Sequence, residues 1–405
     1  METLELVIDM RKLVLITSLA FVLIGMLGVA FRVQIVEAKI SQVYIRADGS
    51  VDPSIAPISS ADNITYTFTN NLGYPVIVQR DDIVVDGAGY TVQGNGTGRG
   101  IDLTDRNNVT IKNMEIRAFQ SGIWLQGSSN SSLLENTIAN NTYGVWVYAS
   151  GNTLSGNTII NSSNYGVVID IYSSNNAVSG NNITNNNCGV RLISASDNKF
   201  YHNNFNNTLQ VLLSYMSGYA NFWDNGVEGN YWSNYTGVDL CDGGDGIGDS
   251  PYVFDANNTD RFPLMGPISF FNAGTWNDTA YYIHTISNST VSDFKFSEDD
   301  LLVSFNVTGL NDTVGFCRVA IPKELLWCDN SGQWEVWVNN TLIEDSKIME
   351  DTNYTYLYFT HGHSTETVQI IGTNVIPEFP SAAFLPLFMV VTLLAVIMYR
   401  RKHSV

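Results

Sequence analysis

The chain has 405 residues, a formal net charge of −19 and 44% apolar residues, which is room for two domains besides terminal segments. The acidic balance excludes nucleic acid as a partner, because phosphate recognition needs a basic footprint. Four cysteines without a CxxC pair exclude a disulfide scaffold, a thioredoxin-like motif and a cysteine zinc site. Cys317 and Cys328 either pair outside the cell or stay as free thiols.

Leu13 to Phe31 is an uncharged apolar run, preceded by Arg11 and Lys12 and followed by Val36-Glu37-Ala38. Residues 1–38 therefore read as a signal peptide cleaved after Ala38, with an uncleaved membrane anchor as the alternative. Residues 39–80 read as a cap of short strands, broken by Pro53, Pro57 and Pro75, of the kind that stops solenoids pairing end to end.

Residues 81–265 repeat. Gly100, Gly122, Gly144, Gly166 and Gly189 step by 22, 22, 22 and 23, and each opens an apolar alternation such as Gly122-Ile123-Trp124-Leu125. A second signature recurs as Asn113-Met114-Glu115-Ile116, Asn136-Thr137-Ile138, Asn157-Thr158-Ile159, Asn181-Asn182-Ile183 and Asn203-Asn204-Phe205. A fixed period of this size marks a repeat architecture. Period-2 alternation makes the units strands, and short strands with Asn- and Gly-rich turns predict an all-β parallel β-helix. The Gly- and Asp-rich stretch from Gly229 to Met265 closes it.

Residues 266–375 change character. Strands are predicted around Leu301–Phe305, Val314–Val319, Trp334–Val338, Tyr354–Phe359 and Thr367–Ile371, spaced as in a small β-sandwich that serves as a stalk. Residues 376–405 hold Ile376-Pro377-Glu378-Phe379-Pro380-Ser381, an apolar span from Ala382 to Tyr399, and Arg400-Arg401-Lys402. The basic tail places the C-terminus in the cytoplasm and the bulk of the chain outside. Sixteen Asn-x-Ser/Thr sequons fit a surface glycoprotein.

Coils of a parallel β-helix stack ~4.8 Å apart, so the period fixes which residues are neighbours. Asn113, Asn136, Asn157, Asn181 and Asn203 are expected to form a structural ladder of side-chain amides. On the outward face, Trp124 and Trp146 share one column with Asp102, Val168 and Arg191, while Gln126, Tyr148 and Asp170 share the next. Trp124, Trp146, Tyr148, Gln126, Asp170 and Arg191 are the candidate glycan-binding residues: sugar C–H faces stack on aromatic rings and hydroxyls bond to polar flanks. The alternative is a strip covered by a loop or by the sandwich. Asp102 and Asp170 stand three coils apart, ~14 Å, too far for the carboxylate pair of a glycosidase. Asp239, Asp242, Asp245 and Asp249 lie among glycines and are the candidate calcium ligands, or else an Asp-rich turn.

The repeats, ending in Gly229-Asn230-Tyr231-Trp232-Ser233-Asn234-Tyr235 and Asp245-Gly246-Ile247-Gly248-Asp249-Ser250-Pro251-Tyr252, resemble the NosD-like right-handed parallel β-helix family. That resemblance implies a fold shared with carbohydrate-binding and sugar-hydrolysing β-helices, and copper as an associated metal. The β-helix offers His202, Met114, Met216, Cys188 and Cys241 without paired spacing, and His361 and His363 fall in the sandwich, so copper is not expected. The tail resembles the PEF-type sorting signals of archaeal surface proteins, which implies processing, with a plain membrane anchor as the alternative. The sequence reading is a membrane-tethered surface protein that binds extracellular polysaccharide without catalysis. A polysaccharide lyase or hydrolase and a purely structural envelope protein are the alternatives.

Overall fold

A computed structural model describes residues 41–214 and 219–376, with the side chain of Asp242 excepted. The expected signal or anchor segment, Met216 and the C-terminal apolar span lie outside these residues. Among the described residues no helix is long and apolar enough to cross a membrane. They are β structure throughout, apart from single 3-10 turns at Cys241–Gly243 and Ser331–Gln333.

The first part is a β-solenoid whose coils each contribute a strand to sheets of nine, eight and seven strands. In the nine-stranded sheet, Arg99–Asp102, Ser121–Gln126, Tyr143–Tyr148, Tyr165–Ile169, Cys188–Ile193 and Leu209–Ser214 lie parallel in unbroken register. Pairing begins upstream of the expected first coil. Val43–Ile45 lies parallel to Val76–Val78, and Thr65–Phe68 lies parallel to Ile83–Asp86. The segment expected as a cap thus supplies coil strands, because its alternate residues point inward as in later coils.

Each wall stacks like on like. Ile123, Val145, Val167 and Val190 follow one another on one sheet, Leu133, Leu154 and Val178 on the second, and Ile116, Ile138, Ile159 and Ile183 on the third, all fully buried. Burying a side chain of this size stabilises the fold by ~1.5–3 kcal/mol. The repeating glycine is a packing requirement. A Cβ on Gly144 would stand 2.4 Å from the Gly166 carbonyl oxygen, and one on Gly122 would stand 2.7 Å from that of Gly144. Aromatic rings end the stack, with Phe205 on Trp232 at 4.3 Å and Trp232 on Tyr252 at 4.9 Å.

Buried asparagines line the corners. Asn136, Asn157, Asn181 and Asn203 each give a side-chain N–H to the next member at 2.9–3.0 Å, and Asn230 gives its own to Asp260 at 3.3 Å. Each amide oxygen also accepts the backbone N–H of the preceding member. A second ladder runs through Asn152, Asn176, Asn198, Asn221 and Asn258. Asn113 is not in the first ladder. The register puts Asn113 at the corner position of Glu135 and Met114 at that of Asn136, so Met114 takes the ladder position and gives its backbone N–H to Asn136, while Asn113 turns the corner at φ 53°.

Ile268 opens a sandwich of two five-stranded antiparallel sheets. Val303, Phe305, Val319, Leu357, Phe359 and Ile370 lie in its core. Cys317 and Cys328 are free thiols. The sandwich is docked on the last coils. Asn204 of the solenoid exchanges two 2.8 Å hydrogen bonds with the backbone of Ile268, and Ile247, Leu264, Ile268 and Ile286 form a small apolar cluster there.

Candidate functional site

The outward face of the nine-stranded sheet carries a continuous chain of stacked groups. The Arg99 guanidinium lies 4.0 Å over the Trp124 ring, and Trp124 stacks on Trp146 at 5.3 Å with 28° between planes. Trp146 meets the edge of Tyr143 at 4.9 Å, Tyr143 stacks on Tyr165 at 6.0 Å, and Arg191 covers Tyr165 at 5.0 Å. Parallel register produces this: Trp124 faces Trp146, and Tyr143 faces Tyr165, one coil apart. Each aromatic contact adds ~0.5–1.5 kcal/mol beyond burial.

The polar residues expected beside the tryptophans orient them. Gln126 accepts the Trp124 indole N–H at 3.3 Å, and Asp170 accepts that of Trp146 at 2.9 Å. Arg191 gives hydrogen bonds to Tyr165 Oη and Ser214 Oγ. Tyr148 is 40% exposed and Tyr172, on the next coil, 74%. Val168, in the tryptophan column, is fully buried instead. The column of rings stacks along the solenoid axis, so Trp124 is enclosed between Arg99 and Trp146 rather than lying face outward. Open aromatic surface therefore falls to Tyr148 and Tyr172 at the edge of the stack.

Arg99, Tyr143, Tyr165 and Tyr172 are additions to the expected set. Counting in twos from each glycine misses Tyr143 and Tyr165, because Gly144-Val145 and Gly166-Val167 are consecutive buried residues and the alternation slips there. A search of the position before each glycine would have found both tyrosines. Asp102 accepts from Arg99 at 2.8 Å and from Thr104, so it is held by its own coil.

In the Asp239–Asp249 loop the carboxylates cap turns. Asp239 accepts the backbone N–H groups of Asp245 and Gly246, Asp249 those of Leu240 and Cys241, and Asp245 that of Ile247. Burial lifts the Asp239 carboxyl above its ordinary value, with Asp245 and Asp249 adding to the rise and the turn amides opposing it.

A second cluster, absent from the expected set, joins the solenoid to the sandwich. Glu228 Oε2 receives Nε2 of His202 at 2.9 Å and Nε2 of His284 at 3.2 Å, while its Oε1 accepts Arg318 Nε at 2.8 Å. Burial opposes ionisation of Glu228, but attraction to His284, the two imidazole hydrogen bonds and the Arg318 guanidinium hold its carboxyl well below the usual range. Burial holds His202 below its ordinary value despite Glu228. These residues come from distant segments with no shared period, so spacing gives no sign of them.

The chain is 26% identical over 226 residues to 3-dehydroshikimate dehydratase of Acinetobacter baylyi, a match covering 49% of this chain and 43% of that protein. It thus spans less than half the length of that relative. Among solved structures, it is similar to the periplasmic alginate epimerase AlgG at 21% identity, over 44% of this chain and 39% of that one, with a TM-score of 0.30. It is also similar to tailspike protein gp49 from the Acinetobacter baumannii bacteriophage Fri1, a capsular polysaccharide depolymerase, at 10% identity, over 77% and 80% of the two chains, with a TM-score of 0.28. It is residues 41–237, the coils that carry the aromatic stack, that match the model of the NosD family, described as a periplasmic copper-binding protein.

Proposed function

We propose that this is an exported β-helix protein that binds polysaccharide along the outward face of its nine-stranded sheet. The observation that carries the reading is the unbroken series Arg99, Trp124, Trp146, Tyr143, Tyr165 and Arg191, with a cation at each end. Its ring edges, the exposed Tyr148 and Tyr172, and the polar groups of Gln126 and Asp170 give an extended amphipathic ledge suited to a linear polymer rather than a small ligand. The periplasmic description of the matched family and the apolar run at Leu13 to Phe31 support export. The apolar span before Arg400-Arg401-Lys402 supports tethering to a membrane. Binding without turnover is the reading, since Asp102 and Asp170 each serve a local partner.

Affinity electrophoresis through gels containing different polysaccharides tests this. The protein is expected to be retarded by at least one, and the Tyr148→Ala, Tyr172→Ala variant to lose ~10-fold or more in affinity while keeping its melting temperature within a few degrees. No retardation of the parent by any polysaccharide contradicts the proposal. Release of reducing or unsaturated sugar ends would replace binding with catalysis.

A further inference from the structure

We propose that His202, Glu228 and His284 form a site for a divalent transition-metal ion, Zn2+ or Cu2+, that straps the sandwich to the last coils of the solenoid. Both imidazoles direct Nε2 at the same carboxylate oxygen, at 2.9 and 3.2 Å, and the three ligand atoms all lie within 4.8 Å of one another. An ion bonded to nitrogen and oxygen at ~2.0–2.2 Å in tetrahedral geometry sets its ligand atoms ~3.3–3.5 Å apart, so small side-chain adjustments admit it. Imidazole with carboxylate is the donor set that suits Zn2+ and Cu2+ and disfavours Ca2+ and Mg2+.

The surroundings are built for a fixed site. Arg318 holds the other oxygen of Glu228 and so orients the carboxylate, the part an outer-shell residue plays around a metal ligand. Arg318 is itself anchored on the Asp245 carbonyl and lies 4.2 Å over the Tyr356 ring. The side chains of Glu228, His284 and Arg318 are 2%, 6% and 4% exposed. His202 stands on the rim, where a groove of about 690 Å³ runs between the solenoid and the Ile268–Trp276 strand, leaving one side for water or an outside ligand.

The repeat places His202 at a defined corner of the solenoid. In successive coils Glu135, Gly156, Gly180 and His202 turn the same corner, each just before its ladder asparagine and each at positive φ, 55°, 67°, 67° and 57°. Two coils use glycine there, as the left-handed conformation favours. The last coil places a histidine there, and that histidine meets Glu228. The copper named for the matched family has in residues 41–237 one imidazole, His202. The second comes from His284, beyond the matched stretch.

The test uses the full chain, stripped with EDTA and titrated separately with ZnCl2 and CuCl2. One equivalent of one or both ions per chain is expected, with the melting temperature raised by ~3–8 °C at saturation. Preference between the two names the ion, and either supports the site. His202→Gln and His284→Gln are expected to weaken uptake roughly 100-fold or more, while His361→Gln with His363→Gln leaves it unchanged. X-ray absorption of the loaded parent, which needs no variant to fold, is expected to show two imidazoles and oxygen. Failure of the parent to take up either ion, uptake undiminished in both single variants, or a spectrum without imidazole would overturn the proposal.

Discussion

In the solenoid, a buried polar group is satisfied by its counterpart one coil away; at the junction with the sandwich, it is satisfied by single partners from elsewhere in the chain. Asn181 accepts from Asn157 and donates to Asn203, and the same exchange recurs along the corner. Glu228 instead gathers His202, His284 and Arg318, which lie 26, 56 and 90 residues away in sequence. Repetition spreads the consequences of a change over neighbouring coils. Convergence concentrates them on one carboxylate.

The two regions also respond to pH in opposite directions. At the end of the ladder, burial pushes the Asp260 carboxyl up to about 7, against hydrogen bonds from the Trp232 indole and the Asn230 amide. Its folded value exceeds its unfolded one, so this group favours folding below about pH 4 and that contribution is lost as pH rises towards 7. Glu228 and His202 are both held below their ordinary values, 4.5 and 6.5. Their contribution is present above those values and is lost as pH falls below them through the lower folded values.

The largest expected effect breaks the junction. Glu228→Gln leaves Arg318 buried without its anion and should cost ~3–5 kcal/mol, read by chemical denaturation at pH 7. A loss under ~1 kcal/mol would show that the solenoid holds the junction without it. Next, Asp260→Asn should flatten the fall in stability between pH 4 and 7, an effect of about 4 kcal/mol at most. An unaltered pH profile would mean that Asp260 does not titrate in that range. Smaller, and graded by position, are the ladder changes. Asn181→Ala deprives both N–H donors of Asn157 and should cost ~2–3 kcal/mol, whereas Asn136→Ala at the ladder's start should cost ~1 kcal/mol. Equal losses at the two positions would remove the case for a ladder whose members depend on each other.

What could be read from the sequence follows the same division. The glycine spacing gave the coils and the strand partners from Gly100 to Gly189 on the outward face, because one period sets every contact between neighbours, but it left the coil strands Val43–Ile45 and Val76–Val78 in the expected cap. It misplaced Asn113, which stands one residue before the ladder position that Met114 fills in that coil. It also passed over Tyr143 and Tyr165, where two successive buried residues interrupt alternation. Trp124 and Trp146 were placed side by side correctly, but a period carries no information on ring orientation, and Arg99 covers the face expected to meet sugar. The Glu228 cluster left no trace in spacing, since tertiary docking alone brings it together.

Hydrogen exchange with and without the polysaccharide that most retards the protein tests the central claim most directly. Slowed exchange is expected in the strands Ser121–Gln126, Tyr143–Tyr148 and Tyr165–Ile169 and in the turn at Tyr172, with the seven-stranded sheet unchanged. Protection confined to the seven-stranded sheet or to the sandwich would contradict it.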